Sequence, residues 1–170
     1  MAVKVIDGDL FTTDAKYICH QVNCQGKMGS GVARQIREKY PTVYRWYKAR
    51  CAEGAREKER LGVSKSPLLG QVQMVYKEDY PVGKSDIDSQ AICNLFSQDQ
   101  YGYNGKRFTD YAAFEKCLLQ LRKLVPAGET IAMPYKIGCG LGGGNWNVVY
   151  GIIEKILGPY YTVELWRKEG

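Results

Sequence analysis

Two glycine-rich turns limit what this chain can fold into more than any other feature. The first is Asn23-Cys-Gln-Gly-Lys-Met-Gly-Ser-Gly31 and the second is Ile137-Gly-Cys-Gly-Leu-Gly-Gly-Gly144. Each follows an apolar strand pattern and opens an amphipathic helix pattern. Glycine tolerates positive φ and lets backbone approach a ligand closely. The first N–H groups of a helix have no intrahelical acceptor and favour an anion. Two such turns in one chain predict a ligand carrying at least one phosphate, held between two backbone clamps.

The remaining elements alternate. Residues 3–6 and 17–22 read as strands, the second running into the first glycine turn. Residues 30–39 form a helix with Val32, Ala33, Ile36 and Tyr40 on one face. Pro41 ends it and seats the first turn of the next helix, whose apolar side is Val43, Trp46, Tyr47 and Cys51. Residues 71–76 alternate as a half-buried strand does, and 91–96 read as a buried one. A polar loop is predicted over 97–108. Thr109 is the expected N-cap of a helix to about Lys123, packed through Tyr111, Phe114, Cys117, Leu118 and Leu121. Residues 130–133 are a strand leading into the second turn. Asn145 caps a helix with Val148, Val149, Ile152, Ile153 and Ile156 inward, and 161–166 form a last strand. This order predicts one domain over residues 1–170, a three-layer α/β/α sandwich with a mixed central sheet. Ligands of such sheets bind beyond the carboxyl ends of the strands. The two turns can face each other only if their strands lie close together.

Composition narrows the function classes. No apolar run approaches the roughly 18 residues of a membrane span, and the N-terminus lacks a signal-peptide layout. The six cysteines form no C-x-x-C and the chain has one histidine. No zinc site is therefore expected, and the thiols read as reduced in a cytoplasmic protein. The net charge of +6 suits an anionic ligand. The basic residues form no single block, and 55–60 interleaves acids with bases as a solvated helix end or loop does. A dedicated nucleic-acid site is not expected.

Gly138-Cys-Gly140-Leu-Gly-Gly143 matches G-x-G-x-x-G, and Glu164 stands about 20 residues on, as a dinucleotide fingerprint requires. A nicotinamide domain opens with this unit and needs several strands after it; here the sequence ends at Gly170. Gly83-Lys84-Ser85 has Glu78 where a Walker motif needs its leading glycine. The pattern supports phosphate binding, but neither of these two machines.

Three motifs in register resemble the macrodomain family: Asp7-Gly-Asp9-Leu10-Phe11, then His20-Gln-Val-Asn23-Cys-Gln-Gly26-Lys-Met-Gly29-Ser-Gly31-Val-Ala33, then Pro134-Tyr-Lys-Ile-Gly138-Cys-Gly140-Leu-Gly-Gly-Gly144-Asn-Trp146. They span nearly the whole chain. The resemblance implies an α/β/α sandwich that binds ADP-ribose or an ADP-ribosylated substrate, a monomer needing no cofactor or metal. It implies that Asp9 accepts from the adenine amino group, with Leu10 donating from its backbone nearby. Asn23 would touch a hydroxyl of the distal ribose. Gly29, Ser30, Gly31 and Val32 would run along that ribose and the adjoining phosphate. Gly138, Cys139, Gly140, Leu141 and Gly142 would wrap the diphosphate. Tyr101 and Tyr103 would flank the ligand or serve only as surface.

Two branches of the family are relevant. The terminal ADP-ribose glycohydrolase branch uses a lysine and an aspartate, where this chain has Gln98 and Gly142. A glutamine forms no imine. The ADP-ribose 1''-phosphate phosphatase branch carries a histidine three residues before the loop asparagine, where this chain has His20. The resemblance thus implies hydrolysis at the 1'' position of the distal ribose, with His20 and Asn23 as catalytic candidates. The alternative is a non-catalytic ADP-ribose reader.

Overall fold

The computed structural model describes residues 2–77 and 89–168. The stretch Gly83-Lys84-Ser85, with Glu78, lies outside the described residues. Six strands form one sheet: β1 (Val3–Asp7), β2 (Tyr17–Asn23), β3 (Val72–Tyr76), β4 (Ala91–Gln98), β5 (Thr130–Pro134) and β6 (Thr162–Arg167). Their spatial order is β1-β6-β5-β2-β4-β3, parallel except for β3, which pairs antiparallel with β4 at the edge. Four helices cover it: α1 (Gly31–Lys39), α2 (Pro41–Leu61), α3 (Tyr111–Leu124) and α4 (Trp146–Ile156). The mixed three-layer sandwich expected from the alternation is the one found.

Alternation along the strands sorts the core into two layers. Tyr17, Cys19, Ala91, Cys93, Leu95, Ile131 and Met133 face α3 and α4, meeting Phe114, Cys117, Leu118, Leu121, Val149 and Ile153. Ile18, Ile92 and Ala132 face the other way, toward Ile36 and Val43, and Val22 and Phe96 meet Tyr47 and Cys51. Each fully buried Leu, Ile or Phe in these layers contributes about 1.5–3 kcal/mol.

Four local expectations need correction. Trp46 is 60% exposed. Val43, Tyr47, Cys51 and Gly54 make the buried stripe of α2, and at 100° per residue Trp46 lies well to one side of it. Val148 is likewise exposed, with Val149, Ile153 and Ile156 forming the inner line of α4. The N-cap of α3 is Asp110, whose side chain accepts from the Ala113 N–H at 3.0 Å. Thr109 is withheld from capping by other bonds described below. The predicted loop also begins later than expected, because Ser97 and Gln98 extend β4. The cap at Asn145 and the start of α2 at Pro41 fall where expected.

Candidate functional site

The strands that feed the two glycine turns, β2 and β5, are neighbours in the sheet. They pair only through Tyr17 with Ile131 and Ile18 with Ala132. Beyond Ile18 they part, and a cleft of about 530 Å³ opens between them at the carboxyl end of the sheet. Asn23, Gly29, Ser30, Gly31 and Val32 line one wall, and Gly138, Gly140, Leu141 and Gly142 the other. His20 lines it too. Lys27, Arg37 and Lys136 also reach it, and no carboxylate is among its described lining residues.

Both walls present backbone donors. Ser30 is the N-cap of α1 but makes no side-chain cap bond, so the first N–H groups of α1 have no internal partner. Its hydroxyl lies 3.3 Å from that of Tyr103, which reaches across from the loop after β4. In the second turn, Cys139 N–H donates to Lys136 O, Gly143 N–H to Gly140 O and Gly144 N–H to Gly138 O. Those bonds, with positive φ at Lys136, Gly138 and Gly143, fold the turn tightly. No acceptor is recorded among the described residues for the N–H groups of Gly140, Leu141 and Gly142. Cys139 departs from expectation. It lies outside the cleft lining, its N–H is spent on the turn, and its thiol folds back on Ile137 O at 3.5 Å. Desolvation holds that thiol above its ordinary pKa.

A network of neutral side chains supports the second turn, and sequence reasoning missed it. Ser97 Oγ donates to Gln21 Oε1 at 2.7 Å. Gln21 Nε2 donates to Gln98 Oε1 at 2.7 Å and to Thr109 Oγ1 at 2.8 Å. Thr109 Oγ1 donates to Gly138 O at 2.7 Å, which is why it does not cap α3. The only signal in the sequence was Gln21, a polar residue inside an apolar strand. The network also explains Gly142. A Cβ there would stand 2.6 Å from Thr109 Oγ1, 2.8 Å from Gly138 O and 2.9 Å from Gln21 Nε2. Gln98 is occupied at both ends, its Nε2 donating to Gln100 O.

Asn23 and His20 both make hydrogen bonds within the chain. Asn23 Oδ1 accepts from Gln25 N–H at 2.9 Å and lies 2.9 Å from the Tyr47 hydroxyl, while Nδ2 donates to Lys27 O at 2.8 Å. Its amide shapes the first glycine loop. His20 is 2% exposed. Its Nε2 lies 2.6 Å from Asn94 Oδ1, and Nδ1 has no hydrogen-bond partner among the described residues. Burial lowers its pKa to about 4, against the Asn94 bond that pulls the other way, so the ring is neutral near pH 7.

Asp9 and Leu10 do not line the cleft. Asp9 caps a single 3-10 turn after β1 and accepts from Phe11 N–H at 3.0 Å. β1 is the sheet edge, separated from β5 by β6. Glu164, the acid of the dinucleotide fingerprint, accepts from Thr13 Oγ1 and Trp166 Nε1 and is part of the scaffold. Among the described residues no group of three His, Cys, Asp or Glu could hold a metal ion, and no helix is long and apolar enough to cross a membrane.

No family model matches the chain. It is 34% identical over 163 residues to an uncharacterized 17.5 kDa protein of Enterobacteria phage T4, covering 91% of this chain and 89% of that one. It is 26% identical over 170 residues to an ADP-ribose 1''-phosphate phosphatase of Meyerozyma guilliermondii, covering 90% and 93%. Among solved structures it is similar to the macrodomain of Thermus aquaticus DarG, with a TM-score of 0.67, 23% identity and coverage of 99% and 98%. Twin glycine turns on adjacent parallel strands, the mixed six-stranded sheet and these likenesses together show that the chain belongs to the macrodomain family.

Proposed function

We propose that the cleft binds ADP-ribose and that the chain hydrolyses an ADP-ribose derivative at the 1'' position of the distal ribose. The observation that carries this reading is the pair of amide-bearing turns facing each other across a cation-lined cleft with no carboxylate among its described lining residues. Backbone donors around a concavity form a nest for a diphosphate, and Lys27, Arg37 and Lys136 add long-range attraction. Gly29, Ser30, Gly31 and Val32 run beside the distal ribose, and Gly138, Gly140, Leu141 and Gly142 follow the diphosphate. Asp9 and Leu10 stand at the same end of the parallel strands, where adenine extending over β5 and β6 would reach them. The name of the Meyerozyma guilliermondii relative supports a 1''-phosphate substrate. In that reaction water adds to phosphorus and the bond from phosphorus to the 1'' oxygen breaks, leaving ADP-ribose and phosphate.

One observation favours a second reading, binding without turnover. Gln98 and Gly142 stand where the glycohydrolase branch has its lysine and aspartate, and Gly142 has no space for a side chain. Calorimetric titration with ADP-ribose, then ADP-ribose 1''-phosphate with phosphate release monitored, separates the two. Binding with release is expected. Binding without release favours the reader or hydrolysis of a different 1''-linked group, and no binding contradicts both.

A further inference from the structure

His20 belongs to a relay whose polarity is set from its far end. Gln73 Nε2 donates to the backbone carbonyl of Trp46 at 3.0 Å. A carbonyl only accepts, so Gln73 must turn its NH2 toward Trp46 and its Oε1 the other way. That oxygen accepts from Asn94 Nδ2 at 3.1 Å. Asn94 therefore presents Oδ1 to His20, and at 2.6 Å this oxygen requires Nε2 to carry the proton. The neutral ring is then left with a bare lone pair on Nδ1, which has no partner among the described residues.

The strand pairing around His20 limits where that lone pair can be used. Nε2 is turned toward β4, where His20 pairs with Asn94. On the other flank β2 has already parted from β5, and His20 and Pro134 both line the cleft. A buried acceptor without a donor carries a desolvation cost that a ligand donor would relieve. We infer that His20 Nδ1 is a fixed hydrogen-bond acceptor for a sugar hydroxyl of the bound ligand, with Asn94 and Gln73 as positioning residues that hold its tautomer. This rests on the ADP-ribose reading above. The subsite selects for an O–H donor and against a phosphate oxygen, which would bring lone pair against lone pair. His20 thus reads the distal ribose and leaves the diphosphate to the glycine turns.

The single histidine makes the test direct. Imidazole nitrogen NMR on the free protein is expected to show Nε2–H alone. Gln73→Leu, a change outside the cleft lining, is expected to introduce a population protonated at Nδ1, because Asn94 is then free to flip. Saturation with ADP-ribose is expected to shift the Nδ1 resonance as it accepts a bond, whereas ADP, which lacks the distal ribose, leaves it unmoved. His20→Phe is expected to weaken ADP-ribose about tenfold, the size of one hydrogen bond, with a smaller effect on ADP. An Nδ1–H tautomer in the free protein overturns the relay. Calorimetric saturation with ADP-ribose and an unmoved Nδ1, or an equal shift with ADP, overturns the hydroxyl contact. No ADP-ribose binding in calorimetry contradicts the ligand reading itself and takes the hydroxyl contact with it, while the tautomer measurement still judges the relay alone.

Discussion

Gly142 and His20 show how far single residues were legible. The glycine was visible as a departure from the lysine–aspartate pattern, but its reason was not. Gln21 and Thr109, 88 residues apart in the chain, fill the volume beside it. Gly142→Ala should therefore destabilise the fold by about 1–3 kcal/mol, as overpacking does, and weaken ADP-ribose binding; a denaturant titration beside calorimetry checks this. A Gly142→Asp variant regains the family's carboxylate yet should show no glycohydrolase activity, since it meets the same atoms. His20 was readable as a candidate by position, whereas its hydrogen bond to Asn94 depends on strand register. Its unfolded pKa is about 6.5 and its folded pKa about 4, so the unfolded state binds more protons between those values. The stability it contributes is present above pH 6.5 and lost as pH falls toward 4, to about 3 kcal/mol for a shift of this size. Melting curves over that range should fall more steeply for the native chain than for His20→Gln. Parallel slopes would contradict the buried neutral ring.

At the scale of elements, periodicity and punctuation carried most of the reading. Each expected strand and helix is present, because strands alternate by two, helices repeat near 3.6, and Pro41 and Asn145 mark helix starts. What failed was local competition for one polar group. Thr109 and Asp110 are both acceptable N-caps, and only the return of Gly138 beneath Thr109 decides between them. Asp110→Ala should cost about 1 kcal/mol through loss of the cap, with ligand affinity unchanged. Thr109→Val keeps the shape but removes the bonds to Gln21 and Gly138, so it should reduce affinity. Thermal melts and titrations of the pair test this separation. The reverse pattern would place the second turn's support elsewhere.

For the whole molecule, the open question in the sequence was whether the strands leading into the two glycine turns are neighbours. Sheet order is a property of the full topology, and no spacing rule supplies it. In the fold β2 lies beside β5, and the cleft follows from their parting after Ile18. The cations were equally unreadable as a group, since Lys27, Arg37 and Lys136 come from three separate segments. Their convergence predicts that ADP-ribose affinity falls as salt is raised, through screening of exposed charges. Lys136→Ala should flatten that dependence in calorimetry at two ionic strengths. The most direct test of the clamp is backbone amide NMR during titration with ADP-ribose. The largest shifts are expected at Gly31, Val32, Gly140, Leu141 and Gly142, with Cys139 moving less because its N–H is already bonded to Lys136 O. Binding that shifts amides elsewhere and leaves both turns still would contradict it.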